Sequence, residues 1–139
     1  MSAISEVHLL KRFTLIISLL PVQAVDILRK GWKRDLPVIV TNQKEIDTNP
    51  FGYINKAGTV GGLHYYSLRK LRIDELDCAI LEESAHDYLM FTNKHSLSEY
   101  QYGSDVYRIM VEYEAKQLAL RWKSHIQNHP DFRADNQLA

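Results

Sequence analysis

One cysteine, Cys78, stands in a chain of 139 residues. A single thiol cannot close an intramolecular disulfide or build a Cys-x-x-Cys metal site. Its expected place is that of a small buried hydrophobe on a helix, and it agrees with a reducing, cytoplasmic compartment. No sign of charge is in excess, since seventeen Lys+Arg balance seventeen Asp+Glu. A dedicated nucleic-acid binder gathers a basic surplus and an acidic tail protein the opposite, so neither class fits. Six Gly and four Pro are too few for a linker or a low-complexity chain. With 45% hydrophobic and 24% charged residues, the composition is that of an ordinary globular domain. One domain over 1–139 is expected, with its core from about 4 to 128 and a frayed end at 129–139.

Long apolar runs are missing too. The longest, Phe13 to Val22, is about half the ~20 residues that a membrane-spanning helix needs. It follows Lys11-Arg12 and ends in Val22-Gln23-Ala24, so residues 1–24 also admit a secretory-signal reading. Glu6 and His8 sit where that signal would have its basic leader, and a core helix is the preferred reading. There is no Gly-x-Ser-x-Gly elbow for a serine hydrolase. Gly58–Gly62 holds three glycines without a following Lys-Ser/Thr, so a nucleotide-phosphate loop is not expected. Lys30-Gly31-Trp32-Lys33-Arg34 reads as a solvated basic helix end.

What the sequence does carry is helical spacing. Leu9, Phe13, Ile16, Ile17 and Leu20 recur every three or four residues, which predicts an N-terminal helix. Pro21 should break it and open a second helix to Lys30, stopped by Gly31. Leu36 to Thr41 reads as a short buried strand, and Asn42 to Thr59 as a long loop of the kind that is often functional. Gly61 to Ile73 looks like an edge hairpin or two short strands. Two helices follow, from Asp74 or Glu75 to Phe91 and from Ser104 or Asp105 to His125. No repeats or heptads stand out. The order α-α-β-β-α-α predicts an α+β fold with a small mixed sheet.

On the Asp74–Phe91 helix, Cys78, Leu81, Ala85, Tyr88 and Leu89 share an arc that should face the core. Glu82 and His86, four apart, lie at its border, where two side chains one turn apart can grip a single metal ion. A plain Glu–His hydrogen bond has the same spacing. On the last helix, Val106, Ile109, Met110, Tyr113 and Leu120 form one part of the apolar face, and Tyr107, Val111, Leu118 and Trp122 the other. Glu114 falls in the middle, where a carboxylate is costly unless paired or bound to metal. Arg121 or Gln117 are its expected partners if no metal is present. Glu112 points to the polar side.

The segment Ala79-Ile80-Leu81-Glu82-Glu83-Ser84-Ala85-His86 resembles the active-site helix of zincin-like metallopeptidases, whose motif is HExxH. Glu112-Tyr113-Glu114-Ala115 is similar to their second helix, where a Glu followed by Ala supplies the third zinc ligand. The resemblance is closest to the minimal metallopeptidases of phages, mobile elements and polymorphic toxins, and spans roughly Pro21 to Trp122. It implies a zincin-like fold, with the N-terminal helices and sheet leading to two C-terminal helices that carry the site. It also implies Glu83 as general base, His86 and Glu114 as ligands, and Glu82 in place of the motif's first His. Two glutamates and one histidine would weaken a zinc ion's Lewis acidity and suit harder divalent ions. His64 or His95 could complete a rearranged set.

Two functions from different classes follow. One is metal-dependent peptide hydrolysis, with a substrate strand added along Gly61, Gly62, His64, Tyr65 and Tyr66. The other is a non-catalytic protein-binding module, an inhibitor or structural component, using that strand and the aromatic residues at Tyr100 and Tyr102. A third reading makes the Glu/His pair accidental on an unrelated α+β domain. The expected partner is a protein or peptide, with no nucleic acid and no membrane.

Overall fold

The computed structural model describes residues 5–32, 38–40, 52–54, 61–64, 68–92 and 105–133. Helix α1 (Glu6–Leu19) starts at Ser5, whose side chain accepts a hydrogen bond from the His8 N–H at 3.0 Å. A serine there satisfies one of the helix's orphan N–H groups. Leu9, Phe13, Ile16, Ile17 and Leu20 are all buried, as their spacing predicts. Of the apolar run Phe13 to Val22, Phe13, Ile16, Ile17 and Leu20 pack in the core, whereas Val22 is 76% exposed. Leu20 turns to extended backbone, the conformation imposed on a residue before proline. The carbonyl of Pro21 then accepts from Ala24 and Val25, which sets it at the head of α2 (Val22–Trp32).

Gly31 does not stop this helix; it lies inside it. A Cβ there would run into the Phe91 ring, so the missing side chain permits close approach between helices rather than a left-handed turn. Trp32, read from sequence as part of a solvated cluster, is buried. Its ring centroid lies 6.0 Å from that of Phe13.

Helix α3 (Ile73–Phe91) opens with the Glu75 side chain reaching back to accept from the Arg72 N–H. It packs against α1, α2 and the last helix, so more than one of its sides is buried. Leu81, Ala85 and Leu89 lie in the core as expected, and so do Leu76, Ile80, Asp77, Ser84 and Asp87. Cys78 is half-buried, with the Lys123 ammonium 3.9 Å from its sulfur.

Helix α4 (Asp105–Ile126) lies along α3. Ala115, Leu118, Ala119, Trp122 and Ile126 form its buried side. Two alanines let the helix axes approach, and the Tyr88 and Trp122 rings meet edge to face at 5.5 Å. After a turn, one more helical turn at 130–133 buries Phe132. The buried Arg12 guanidinium lies 4.5 Å from the centre of that ring. Its edge meets Asp77, with Nε and a terminal nitrogen donating to the two carboxylate oxygens at 2.8 and 2.6 Å.

The strands are β1 (Val38–Val40), β2 (Gly52–Ile54) and β3 (Gly61–His64). β3 lies in the middle, parallel to β1 and antiparallel to β2. The expected α+β, zincin-like class is corrected by this architecture. Where burial is described, every core residue comes from a helix or a turn joining helices. The extensive contacts between elements run helix to helix or strand to strand. The described strands run for only three or four residues, and the protein is a helical one. Two local expectations also change. β2 lies within the stretch read as loop, and the Gly61–His64 segment is a central strand rather than a free edge.

Candidate functional site

The expected site lies where α3 and α4 face each other. His86 Nε2 is 3.2 Å from Glu112 Oε1, with the histidine 18% and the glutamate 58% exposed. Glu112, which the helix wheel put on the polar side, is thus the residue that reaches across to His86. Glu114, expected as a metal ligand, is half-buried two residues further on. Glu82 and Glu83 are half-buried on α3.

Glu83 has its carboxyl raised from 4.5 to about 7. Burial is the largest cause, and the negative charges of Asp87, Glu112 and Glu82 add to it. Asp87, one turn on, is raised from 3.8 to about 7 by burial, against the opposing effect of a hydrogen bond. That bond comes from Trp32 Nε1, which donates to Asp87 Oδ2 at 2.6 Å. Glu83 and Asp87 are therefore carboxyls that exchange a proton near neutrality, as general acids and bases do.

The metal reading does not fit these positions. Glu82, His86 and Glu114 do not form a group able to hold a metal ion, and among the described residues no other three His, Cys, Asp or Glu do so. A zinc site needs its donors converging within about 2.0–2.3 Å of one point, so no catalytic step is derived through a metal. Within the sheet Gly62 and Leu63 are paired on both sides, Gly61 with β2 alone and His64 with β1 alone, so β3 lies between two strands where a substrate strand was expected to add. Tyr65, Tyr66, His95, Tyr100 and Tyr102 lie outside the described residues.

The feature that sequence reasoning missed is on α4. Val106, Ile109, Tyr113 and Leu120, expected in its buried apolar face, are 52%, 66%, 58% and 57% exposed. An open depression of about 510 Å³ lies beside Ile109 and Tyr113, lined also by Asp105, Glu112 and Lys116. The helix has two apolar arcs, and α3 covers only one. The signal was present, because the apolar residues of α4 span more of its circumference than one packing neighbour can bury. Among the described residues, no helix is long and apolar enough to cross a membrane. Compared with known proteins, the chain matches no family model, no curated protein and no solved structure.

Proposed function

We propose that this chain is a non-catalytic protein-binding module whose contact surface is the outer arc of α4. The observation that carries the reading is the exposure of Val106, Ile109, Tyr113 and Leu120 on one side of a helix whose other side is packed. Single exposed apolar residues are ordinary, but an aligned set rimmed by charge marks interaction surfaces. Tyr113 at the middle, with Asp105, Glu112 and Lys116 around it, matches the aromatic centre and polar rim of protein interfaces. Metal-dependent hydrolysis keeps only Glu83 in its favour. The ligand set implied by the resemblance does not converge, so the binding reading is the better supported.

A photo-crosslinking amino acid at Ile109 tests it. The expected result is a crosslink to protein that disappears when Tyr113→Glu is added and does not occur from a probe at the exposed Glu6. Absence of any crosslink from Ile109 in cells expressing the chain would overturn the reading.

A further inference from the structure

We infer that the outer arc of α4 is the seam of a homodimer, in which α4 of a second copy lies antiparallel across it. This rests on the binding reading above and names the partner. Val106, Tyr113 and Leu120 are spaced by sevens, and Ile109 stands three residues after the first. The spacing lasts only two periods, too few to stand out as a heptad repeat, but it keeps these four side chains on one stripe that a second helix can face. From Val106 to Leu120 the seam is about 21 Å long at 1.5 Å per residue. Lys116 takes the next place in the pattern, a charged residue in an otherwise apolar seam. Such a residue fixes register and orientation in paired helices at some cost in stability.

Charge sets the direction. A parallel partner would place Lys116 against Lys116 of the partner subunit, which repels. An antiparallel partner, on a two-fold axis between Tyr113 and Lys116, places Lys116 against the ring of the partner subunit's Tyr113. A cation over an aromatic face is favourable. The same axis sets Ile109 opposite the partner subunit's Leu120, whose side chain enters the depression lined by Ile109, Glu112 and Tyr113. One flank of the seam carries Glu112 and, four residues on, Lys116, while Lys123 turns toward Cys78. Reversed on itself, that flank brings Glu112, which meets His86 on its inner side, beside Lys116 of the partner subunit. The surface is complementary to its own copy, as a two-fold contact requires. A single helix seam is smaller than the ~1,600 Å² of a standard interface, so the expected dissociation constant is on the order of micromolar.

Sedimentation equilibrium of the purified chain across the micromolar range is the test. A monomer–dimer equilibrium is expected. Tyr113→Glu and Leu120→Glu should each weaken it at least ~30-fold, while helix content, and melting at concentrations below the dimer range, stay unchanged because both side chains are exposed. Lys116→Glu should weaken it, and Lys116→Glu with Glu112→Lys should restore part of the loss. In a Cys78→Ser background, Ile109→Cys mixed with Leu120→Cys should form a mixed disulfide faster than either forms with itself. A chain that stays monomeric, a dimer indifferent to Tyr113→Glu, or disulfides favouring like with like would overturn the inference. A monomer whose Ile109 probe still crosslinks to a different protein in a Tyr113-dependent way would overturn the dimer alone. A monomer that crosslinks to nothing would overturn the binding reading as well.

Discussion

Arg12 and Asp77, 65 residues apart, form a two-pronged ion pair in the interior, with the Arg12 Nε 2.8 Å from one carboxylate oxygen. The side chains are 0% and 8% exposed. Two parallel N–H···O bonds satisfy both charges, and the Phe132 ring covers the guanidinium. The pair joins α1 to α3 across the core.

Removing one partner should cost far more than removing both. Arg12→Ala takes both hydrogen bonds from the buried Asp77 carboxyl, and about 3–5 kcal/mol of stability should be lost. Arg12→Met with Asp77→Leu should recover most of that, since an apolar pair of similar volume carries no desolvation penalty. Urea unfolding of the two single variants and the double one measures the difference. Equal losses in all three would show that the pair contributes net stability rather than only requiring completeness.

Gly31→Ala should destabilise by about 1–3 kcal/mol, because the new methyl overlaps the Phe91 ring and overpacking must be relieved by movement. An alanine inside a helix would otherwise be favourable. Adding Phe91→Ala should reduce the cost of Gly31→Ala, a coupling readable from a double-mutant cycle. Additive losses would place the conflict elsewhere.

Stability should rise as pH falls from 8 toward 5. Glu83 binds its proton more tightly when folded, near pH 7, than its ordinary 4.5. Its contribution is therefore fully present below about 4.5 and is lost as pH rises through about 7. Asp87 behaves alike, between 3.8 and about 7. Glu83→Gln should stabilise by about 1–3 kcal/mol at pH 8 and by little at pH 5. Denaturant midpoints at the two pH values give the slope, and an unchanged slope in the variant would contradict the assignment.

Zinc or manganese added to chelator-treated protein should leave Tm unchanged, since His86 meets Glu112 and the three expected ligands do not converge. A ligand that binds only the folded state raises Tm in proportion to its affinity. A rise of several degrees, abolished by His86→Ala, would restore the metal reading.

The helices were legible for local reasons. Ser5, Glu75 and the three- and four-residue spacing lie within one or two turns of what they determine. Leu9, Phe13 and Ile16 could be placed in the core before any packing was known. Val38–Val40 forms the strand that its β-branched residues favour, but local propensity does not tell how little sheet accompanies it, and the fold class was misjudged for that reason. The ion pair was hidden because nothing near Arg12 names Asp77 as its partner. On α4 both arcs are apolar, and only the position of α3 decides that Leu118 and Trp122 go in while Ile109 and Tyr113 stay out. Glu112 and Glu114 were exchanged for the same reason, since a wheel without a neighbour cannot say which edge lies nearer to His86.

Phe132 over Arg12 ties a late residue of the described chain to its first helix. The guanidinium gives its edge to Asp77 and one flat side to the ring. Shortening that ring would therefore open a wet spot beside the ion pair, far along the sequence from the residues it exposes.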